Sequence, residues 1–283
     1  MCAVLFTVVR FPNTNCLAGS SKTGVCFTLA QCRQLRGLAS GACAQGFGVC
    51  CLIHRRTGVC QVRLDLEDFV VGRPLAGTCS GGSMVVRGYN VNARVPRLCG
   101  RNSGQHLYVD INDHSGPLQL DLETSGTGEE RWRIRVAQIE CSNPARPPSN
   151  CLQYFTSPTG GVWESFNYEP RLPPGESGGY LNGLDYAVCW ARGPGCSLRL
   201  STAGPLGIFN ADPESGSPTV PNARAGSGRM DCPRDYLLVG ESRLCGTRLN
   251  PESGHPAVDV PVLGRWTPST SVVVTYTIRG NPS

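Results

Sequence analysis

Residues 232–246 read CPRDYLLVGESRLCG, in which a cysteine opens an apolar stretch and a second cysteine, followed by glycine, closes it. Residues 79–100 repeat this arrangement, because Cys79 opens an apolar stretch that ends in Arg97-Leu98-Cys99-Gly100. The chain has 16 cysteines in 283 residues. Regularly spaced cysteines and a repeated segment are typical of a multi-module, disulfide-stabilised extracellular protein and disfavour a cytosolic enzyme.

Most of the chain after Cys60 alternates apolar and polar residues with a period of two, as in 62–67 (VRLDLE) and 131–136 (RWRIRV). This period predicts half-buried antiparallel strands, and 35 glycines and 22 prolines favour short turns between them. The other predicted strands are 84–86, 107–111, 118–122, 154–155, 162–166, 186–190, 198–200, 236–239 and 272–278. The fold class predicted from this pattern is all-β.

Two segments interrupt the alternation. Residues 143–150 are rich in proline and have no periodicity, which predicts a linker between domains. Residues 204–228 are rich in glycine, proline and serine, which predicts a long exposed loop. Because the strand pattern restarts after the first of these segments, we expect a duplicated β-sandwich.

Six cysteines near the N-terminus form a separate group with the spacing C-x9-C-x5-C-x10-C-x6-C-C, between Cys16 and Cys51. A segment of about 36 residues with few large apolar side chains cannot hold a core by burial alone, so disulfides must stabilise it. The spacing by itself permits 15 different pairings.

Residues 232–246 resemble the CxxDxL…LCG hallmark of CUB domains, and Ser165-Phe166-Asn167-Tyr168 resembles the SPNYP turn that precedes it in that family. The N-terminal cysteines, ending in Cys50-Cys51, resemble the arthropod clip domain. Most of the chain is similar to secreted arthropod CUB-domain proteins. The resemblance implies a small disulfide-rich, clip-like module at 12–52. It also implies two antiparallel, jelly-roll CUB-like sandwiches at 58–142 and 151–283, separated by the proline-rich linker at 143–150.

The same resemblance implies a set of disulfides. In the clip-like module they are Cys16–Cys50, Cys26–Cys43 and Cys32–Cys51. In the sandwiches they are Cys79–Cys99, Cys232–Cys245, Cys151–Cys189 and Cys141–Cys196, although the last two can exchange partners. Cys2 and Cys60 are left over.

The two sandwiches do not match along their whole length. Eight residues separate Cys51 from Cys60, whereas the second repeat has its opening strands between Cys151 and Cys196. We therefore expect the first sandwich to lack its opening strands, together with the partner of Cys60. The second is expected to be short at its C-terminal end, and the apolar start of the chain resembles the end of an incomplete signal peptide.

Catalytic and metal motifs are weak. Residues 175–179 (GESGG) resemble the nucleophile loop of serine proteases, but no histidine (His54, His106, His114 or His255) lies in a triad pattern, so we expect no enzyme. The chain has no C-x2-C pair, which disfavours zinc. The CUB resemblance places Asp235 at one calcium-ligand position of the second sandwich, whereas Gly82 occupies the matching position of the first.

The net charge of the chain does not indicate a class of binding partner. A net charge of +5 over 283 residues predicts no nucleic-acid binding, and no stretch has the ~20 apolar residues of a membrane span. Arg131, Arg133 and Arg135 form a basic stripe that can bind anionic glycans, but the same alternation is expected of an ordinary solvated strand face.

The resemblance implies a secreted, non-catalytic recognition or adhesion protein that binds an extracellular protein or glycan ligand through its CUB loops. One alternative is an innate-immunity regulatory cofactor whose clip-like module docks protease-cascade partners. Another is a structural component of extracellular matrix or cuticle.

Overall fold

The computed structural model describes residues 10–18, 23–52, 57–90, 94–112, 116–126, 130–157, 161–168, 179–191, 197–203, 206–212, 214–221, 224–252, 262–265 and 271–277. Residues 23, 197, 198, 262–265 and 271–277 are described by their backbone alone. The chain divides into a first unit, Met1–Thr57, and a second unit, Gly58–Ser283.

The first unit is a four-stranded antiparallel sheet with one short helix. Its strands are β1 (Asn15–Leu17), β2 (Thr23–Phe27), β3 (Leu38–Cys43) and β4 (Gly48–Leu52), in the order β1-β2-β4-β3. Helix α1 (Leu29–Gln34) begins where the side chains of Thr28 and Gln31 cap each other's backbone N–H groups, and a 3₁₀ turn spans Ala44–Gly46.

Three disulfides hold this sheet together, because the buried side chains among the described residues of the unit are four cysteines, one alanine and one leucine. They are Cys16–Cys50, Cys26–Cys43 and Cys32–Cys51, which confirms the predicted pairing. Gly37 lies so close to the Sγ of Cys51 that a Cβ would overlap it. Each bridge of this kind stabilises a small domain by about 2–4 kcal/mol.

The regular secondary structure described in the second unit is almost entirely β-strand. The strands are β5 (Val59–Val71), β6 (Ser83–Arg87), β7 (Gly100–Arg101), β8 (His106–Asp110), β9 (Gln119–Glu123), β10 (Arg131–Glu140), β11 (Cys151–Phe155), β12 (Asp185–Ala191), β13 (Ser197–Leu200), β14 (Ala225–Ser227), β15 (Tyr236–Val239), β16 (Ser242–Gly246), β17 (Val262–Arg265) and β18 (Ser271–Thr277). A single turn of helix, α2 (Gly228–Asp231), follows β14. The all-β, disulfide-rich fold class predicted from the sequence is confirmed.

Strand β5 organises the N-terminal half of this unit. It pairs antiparallel with β10 along its length, with β8 over 61–65 and with β7 near its end, while β6 and β9 form a separate hairpin. Alternate residues of β5, such as Leu64 and Leu66, are fully buried, as a strand with one face in the core requires.

The C-terminal half is a six-stranded sheet in the order β11-β12-β18-β15-β16-β14, accompanied by the pair β13-β17. All described pairings in the sheet are antiparallel except the one between β11 and β12. The two cysteines of the quoted segment, Cys232 and Cys245, form a disulfide, and Cys151–Cys189 joins β11 to β12. Both pairings were predicted, as was Cys79–Cys99.

One hydrophobic core runs through the second unit. It includes Leu64 and Phe69 from the N-terminal half and Phe166, Tyr186 and Leu244 from the C-terminal half. The segment 143–150 also contacts β5, because the side chain of the buried Gln61 donates to the carbonyl of Pro147 at 3.1 Å. The division of this unit into two sandwiches with a linker between them stays a prediction.

Cys60 corrects one sequence expectation. It is not left over but bonds to Cys141, so Cys141 does not pair with Cys196. Cys60 lies at the start of β5 and Cys141 directly follows β10, and these ends meet because the two strands are antiparallel neighbours. Cys2 and Cys196 lie outside the described residues.

Two further expectations differ from the structure. Residues 162–166 form no strand; Phe166 is instead buried in the core, beside Asn167, whose φ is +61°. The segment 204–228 is not wholly exposed, because Ile208, Asn210 and Ala225 are buried and β14 pairs with β16.

Candidate ligand-binding site

The turn that carries Asp235 is fixed by the neighbouring Asn210. The Oδ1 atom of Asn210 accepts from the backbone N–H groups of Arg234 (3.0 Å) and Asp235 (2.8 Å), and its Nδ2 donates to the carbonyl of Asp235 at 2.7 Å. Asn210 is 5% exposed and Asp235 is 3% exposed. One buried amide therefore determines the backbone position of the residue that was predicted to bind calcium.

The side chain of Asp235 faces Tyr180. Burial raises the pKa of the Tyr180 hydroxyl to about 12. The N–H of Phe209 donates to this hydroxyl at 3.1 Å and opposes the shift, whereas the charge of Asp235 and a hydrogen bond to it add to the shift. Asp235 is thus held by a neutral hydroxyl donor. Within the described residues, no three His, Cys, Asp or Glu side chains lie close enough together to hold a metal ion. Calcium at Asp235 stays a prediction.

An open groove of about 360 Å³ lies beside this turn, between α2 and the hairpin of β15 and β16. Its lining comprises Ser227, Gly228, Arg229, Tyr236, Leu238, Glu241, Ser242 and Arg243. We call it the hairpin groove. The Arg243 guanidinium lies 4.1 Å from the centre of the Tyr236 ring, which makes a cation–π contact across the floor.

The hairpin groove is held on a rigid base and has exposed ends. Cys232–Cys245 ties the start of the segment to β16, and the Asp231 carboxylate accepts from the N–H of Ser227 at 2.9 Å. Arg229 and Glu241 are exposed, and the neighbouring Met230 is 89% exposed. The groove can thus offer both signs of charge and an apolar side chain to a ligand without having to reorganise.

Steric crowding explains why each RLCG segment ends in glycine. Gly246 has φ +87°, and a Cβ there would lie 2.5 Å from the carbonyl oxygen of Arg224. Gly100 has φ +77°, and a Cβ there would overlap the Oδ1 atom of Asn167. In both cases the sequence motif marks a place where another backbone or side chain approaches closely.

A network of amide side chains connects the two halves of the second unit. Its members are Asn102, Gln105, Gln153, Asn167 and Asn182. The N–H of Asn167 donates to Asn102 Oδ1 (2.9 Å), Gln153 Nε2 donates to Gln105 Oε1 (2.7 Å), and Asn182 Nδ2 donates to the carbonyl of Ala76 (2.9 Å). Asn102 and Gln153 are almost fully buried. This amide network fixes the SFNY turn, which contains Asn167, against the end of β7.

His106 lies beside this network. Its Nε2 is 3.1 Å from both the N–H and the carbonyl of Tyr154, and its ring packs edge-on against Phe155 with 5.1 Å between ring centres. Burial, together with the positive charge of Arg63, lowers the pKa of His106 to about 4, although Asp65 and the Tyr154 carbonyl oppose the shift. The imidazole is therefore neutral at physiological pH.

The predicted arginine stripe lies on β10 and is partly neutralised by β5. Arg131 pairs with Asp68 at 3.0 Å, and Arg135 pairs with Asp65 at 3.0 Å. Burial opposes ionisation of Asp65, but bonds from Arg63 and Arg135 outweigh it and lower the pKa of this carboxyl. Two of the three arginines thus serve the sheet itself.

The remaining sequence candidates do not form a site in the described residues. Ser177 of the GESGG stretch and His54, His114 and His255 lie outside the described residues, and His106 is half-buried against the backbone of Tyr154. In the described part of the chain, no helix is long and apolar enough to cross a membrane.

The sequence did not identify Asn210, Tyr180 or Arg229 as site residues. Only Asn210 had a nearby signal, because Asp212, Pro213 and Glu214 follow it and predict a turn. The turn forms around Asp212, whose carboxylate accepts from the N–H groups of Glu214 and Ser215. The contacts of Tyr180 and Arg229 depend on strand pairing that no local pattern reports.

Comparison with known protein families gives a match in the C-terminal half of the chain. Residues 148–280 match the family model of the animal CUB domain, and CUB domains are generally non-catalytic protein-interaction modules. No match was found among curated proteins. Among solved structures, the chain is similar to the CUB1-EGF-CUB2 domain of human MASP-1/3, with 16% identity and a TM-score of 0.25 over 80% of this chain and 85% of that one. It is also similar to the CUB1-EGF-CUB2 domains of rat MASP-1, with 15% identity and a TM-score of 0.22 over 80% of this chain and 84% of that one.

Proposed function

We propose that this is a secreted, non-catalytic recognition protein whose animal CUB domain binds an extracellular protein or glycan ligand. The family match over 148–280 supports an interaction role for that half of the chain. Seven disulfides among the described residues support an oxidising, extracellular location.

The observation that carries the proposal is the hairpin groove. It lies within the CUB match, it is tied by Cys232–Cys245, and its exposed edge presents Arg229, Met230 and Glu241. A backbone that a disulfide already fixes has little conformational entropy left to lose on binding, which favours recognition by the side chains it carries.

The test is affinity capture with the secreted, full-length protein and a groove variant. We expect Arg229→Glu to lose ligands that the wild-type protein captures from extracellular fluid, measured by quantitative mass spectrometry and by a glycan array. Arg133→Glu, the same charge change on exposed β10, is the matched control and should retain every ligand whose capture depends on Arg229. The proposal fails if no ligand rises above background, or if Arg229→Glu retains every ligand.

The two alternatives give different results in the same experiment. If the N-terminal module is clip-like and docks protease-cascade partners, captured ligands should include proteases or their regulators and should survive both substitutions. A matrix or cuticle component would instead be recovered mainly in the insoluble fraction of its tissue.

Calcium at Asp235 is a separate proposal. If Asp235 is a ligand, millimolar Ca²⁺ should raise the Tm of the wild-type protein, because a ligand that binds only the folded state stabilises it. Asp235→Asn should abolish that increase. An equal Tm with Ca²⁺ and with EDTA in the wild-type protein would contradict it.

A further inference from the structure

Strand β10 has one edge at which no described strand pairs with it, and we call this its open edge. Among the described strands it pairs only with β5, and it is the terminal strand of its sheet. Its ten residues, Arg131–Glu140, extend for about 33 Å. An edge of this length presents a row of backbone N–H and C=O groups that another strand can pair with.

The core side of β10 is apolar and incompletely covered. Trp132, Ile134 and Val136 lie opposite Phe69, Leu66 and Leu64 of β5, respectively. The three β5 residues are 0% exposed, but Trp132 is 44% and Val136 is 54% exposed. The apolar face of the sheet therefore continues past its last strand.

The other side of β10 is basic. Arg131 and Arg135 share their charge with Asp68 and Asp65 of β5, whereas the exposed Arg133 has no ion pair among the described residues. Opposite charges on directly neighbouring strands stabilise a sheet, and like charges destabilise it. A strand added at this edge would be favoured if it carried acidic residues on this side.

Strand β5 shows which sequence pairs well with β10. On one side it contributes Leu64, Leu66 and Phe69, and on the other it contributes Asp65 and Asp68 to the arginines. The inner edge of β10 is thus already occupied by a strand that alternates apolar and acidic residues. The outer edge presents the same two faces of β10 to solvent.

We propose that the open edge of β10 receives an extended segment of a partner protein in which apolar and acidic residues alternate. A second copy of β10 is a poor occupant, because antiparallel pairing centred on any of residues 133–135 places arginine opposite arginine. This surface lies outside the CUB match at 148–280, so the proposal is independent of the hairpin groove.

The probe is a synthetic peptide with the sequence of residues 62–69 (VRLDLEDF), compared with a version in which the three acidic residues are lysine. Binding to the full-length protein is measured by isothermal titration, and hydrogen exchange locates it. We expect the acidic peptide to bind at least tenfold more tightly than the lysine version, to weaken with salt, and to slow exchange at 131–140.

Arg133→Glu should weaken binding of the acidic peptide about three- to tenfold and favour the lysine version. Arg229→Glu, which makes the same charge change in the hairpin groove, should leave both affinities unchanged. Val136→Asp, which removes an exposed apolar contact, is the second variant and should also weaken the acidic peptide.

Several results would overturn the proposal. They are equal binding of the two peptides, protection outside 131–140, and equal losses in Arg133→Glu and Arg229→Glu. A sulfated heparin hexasaccharide that binds in an Arg133-dependent way while the peptide does not would identify a glycan surface instead. A concentration-dependent dimer that Val136→Asp disrupts would identify a second copy. None of these results would affect capture of ligands by the hairpin groove.

Discussion

At the scale of single residues, His106 shows how position can change the chemistry of a side chain. Its sequence context, at the start of strand β8, gives no sign that it meets the backbone of Tyr154 48 residues away. Burial there removes the water that stabilises the imidazolium, and Arg63 repels a second positive charge. The folded protein therefore binds a proton at this ring only below the pH at which the unfolded chain does.

We expect this neutral histidine to lower the stability of the folded protein as the pH decreases from 6.5 towards 4. Its pKa is about 4 in the folded state and about 6.5 in the unfolded chain, so its contribution is complete above pH 6.5 and is lost as pH falls towards 4. The loss is about 3 kcal/mol, since each unit of pKa difference corresponds to about 1.4 kcal/mol. Urea unfolding at several pH values checks this, and His106→Gln should flatten the curve between pH 6.5 and 4.5. An unchanged slope in that variant would contradict the assignment.

Gly100 leads to a second prediction at this scale. Gly100→Ala should destabilise the protein by about 2–4 kcal/mol, because its φ of +77° disfavours a side chain and a Cβ would displace the Asn167 amide from its bonds. Gly104→Ala is the matched control. Gly104 has φ +83°, but a Cβ there would meet nothing within 4 Å, so this substitution should cost only about 1 kcal/mol. Equal urea midpoints for the two variants would show that the Asn167 contact is unimportant.

At the scale of elements, the pair β5–β10 shows that the sequence predicts where strands lie but not which strands are neighbours. The alternation in 62–67 and 131–136 was sufficient to predict both strands, because a sheet with one buried face imposes a period of two. It could not tell which strands are neighbours. Cys60 was consequently expected to lack a partner, although its bond to Cys141 follows at once when β5 and β10 are placed side by side.

Removal of this disulfide should destabilise the second unit. We expect Cys60→Ser with Cys141→Ser to lower the free energy of unfolding by about 2–5 kcal/mol, since the bond closes a long loop. The measurement is urea unfolding of the purified double variant. Peptide mapping under non-reducing conditions must show the other six described disulfides intact, and an unchanged urea midpoint would contradict the prediction.

The failed prediction at 162–166 has a different cause. Val162 to Phe166 has the composition of a strand, but Trp163 donates to the side chain of Gln153 at 2.7 Å and Phe166 inserts into the core. Tertiary contacts of two side chains therefore override a local preference. The same applies to Asn210, whose role depends on the backbone of residues that lie 24 and 25 positions away.

At the scale of the whole molecule, the second unit has one continuous core and a buried amide network across it. Sequence repeats suggested two sandwiches, and the family match covers the second of them. The contacts that join the halves were not predictable, because amides such as Asn102 and Asn167 lie 65 residues apart and carry no periodic signal.

We expect residues 58–283 to unfold in one cooperative step. Buried hydrogen bonds and a shared core couple the two halves, so separate melting would leave polar groups unsatisfied. Scanning calorimetry of the full chain, with hydrogen exchange to assign the transition, is the measurement. Asn102→Ala combined with Asn167→Ala should broaden or split the transition. Two separate transitions within 58–283 of the wild-type protein would contradict the prediction.

The bond between Cys60 and Cys141 also determines how this chain would carry mechanical load. A pulling force that enters at Gly58 passes directly through the bond to Cys141 and bypasses everything between the two cysteines. The bypassed segment would otherwise extend by about 280 Å at 3.5 Å per residue. Under tension the sheet around β5 is therefore shielded, and extension is confined to segments that lie outside the disulfide-closed loops.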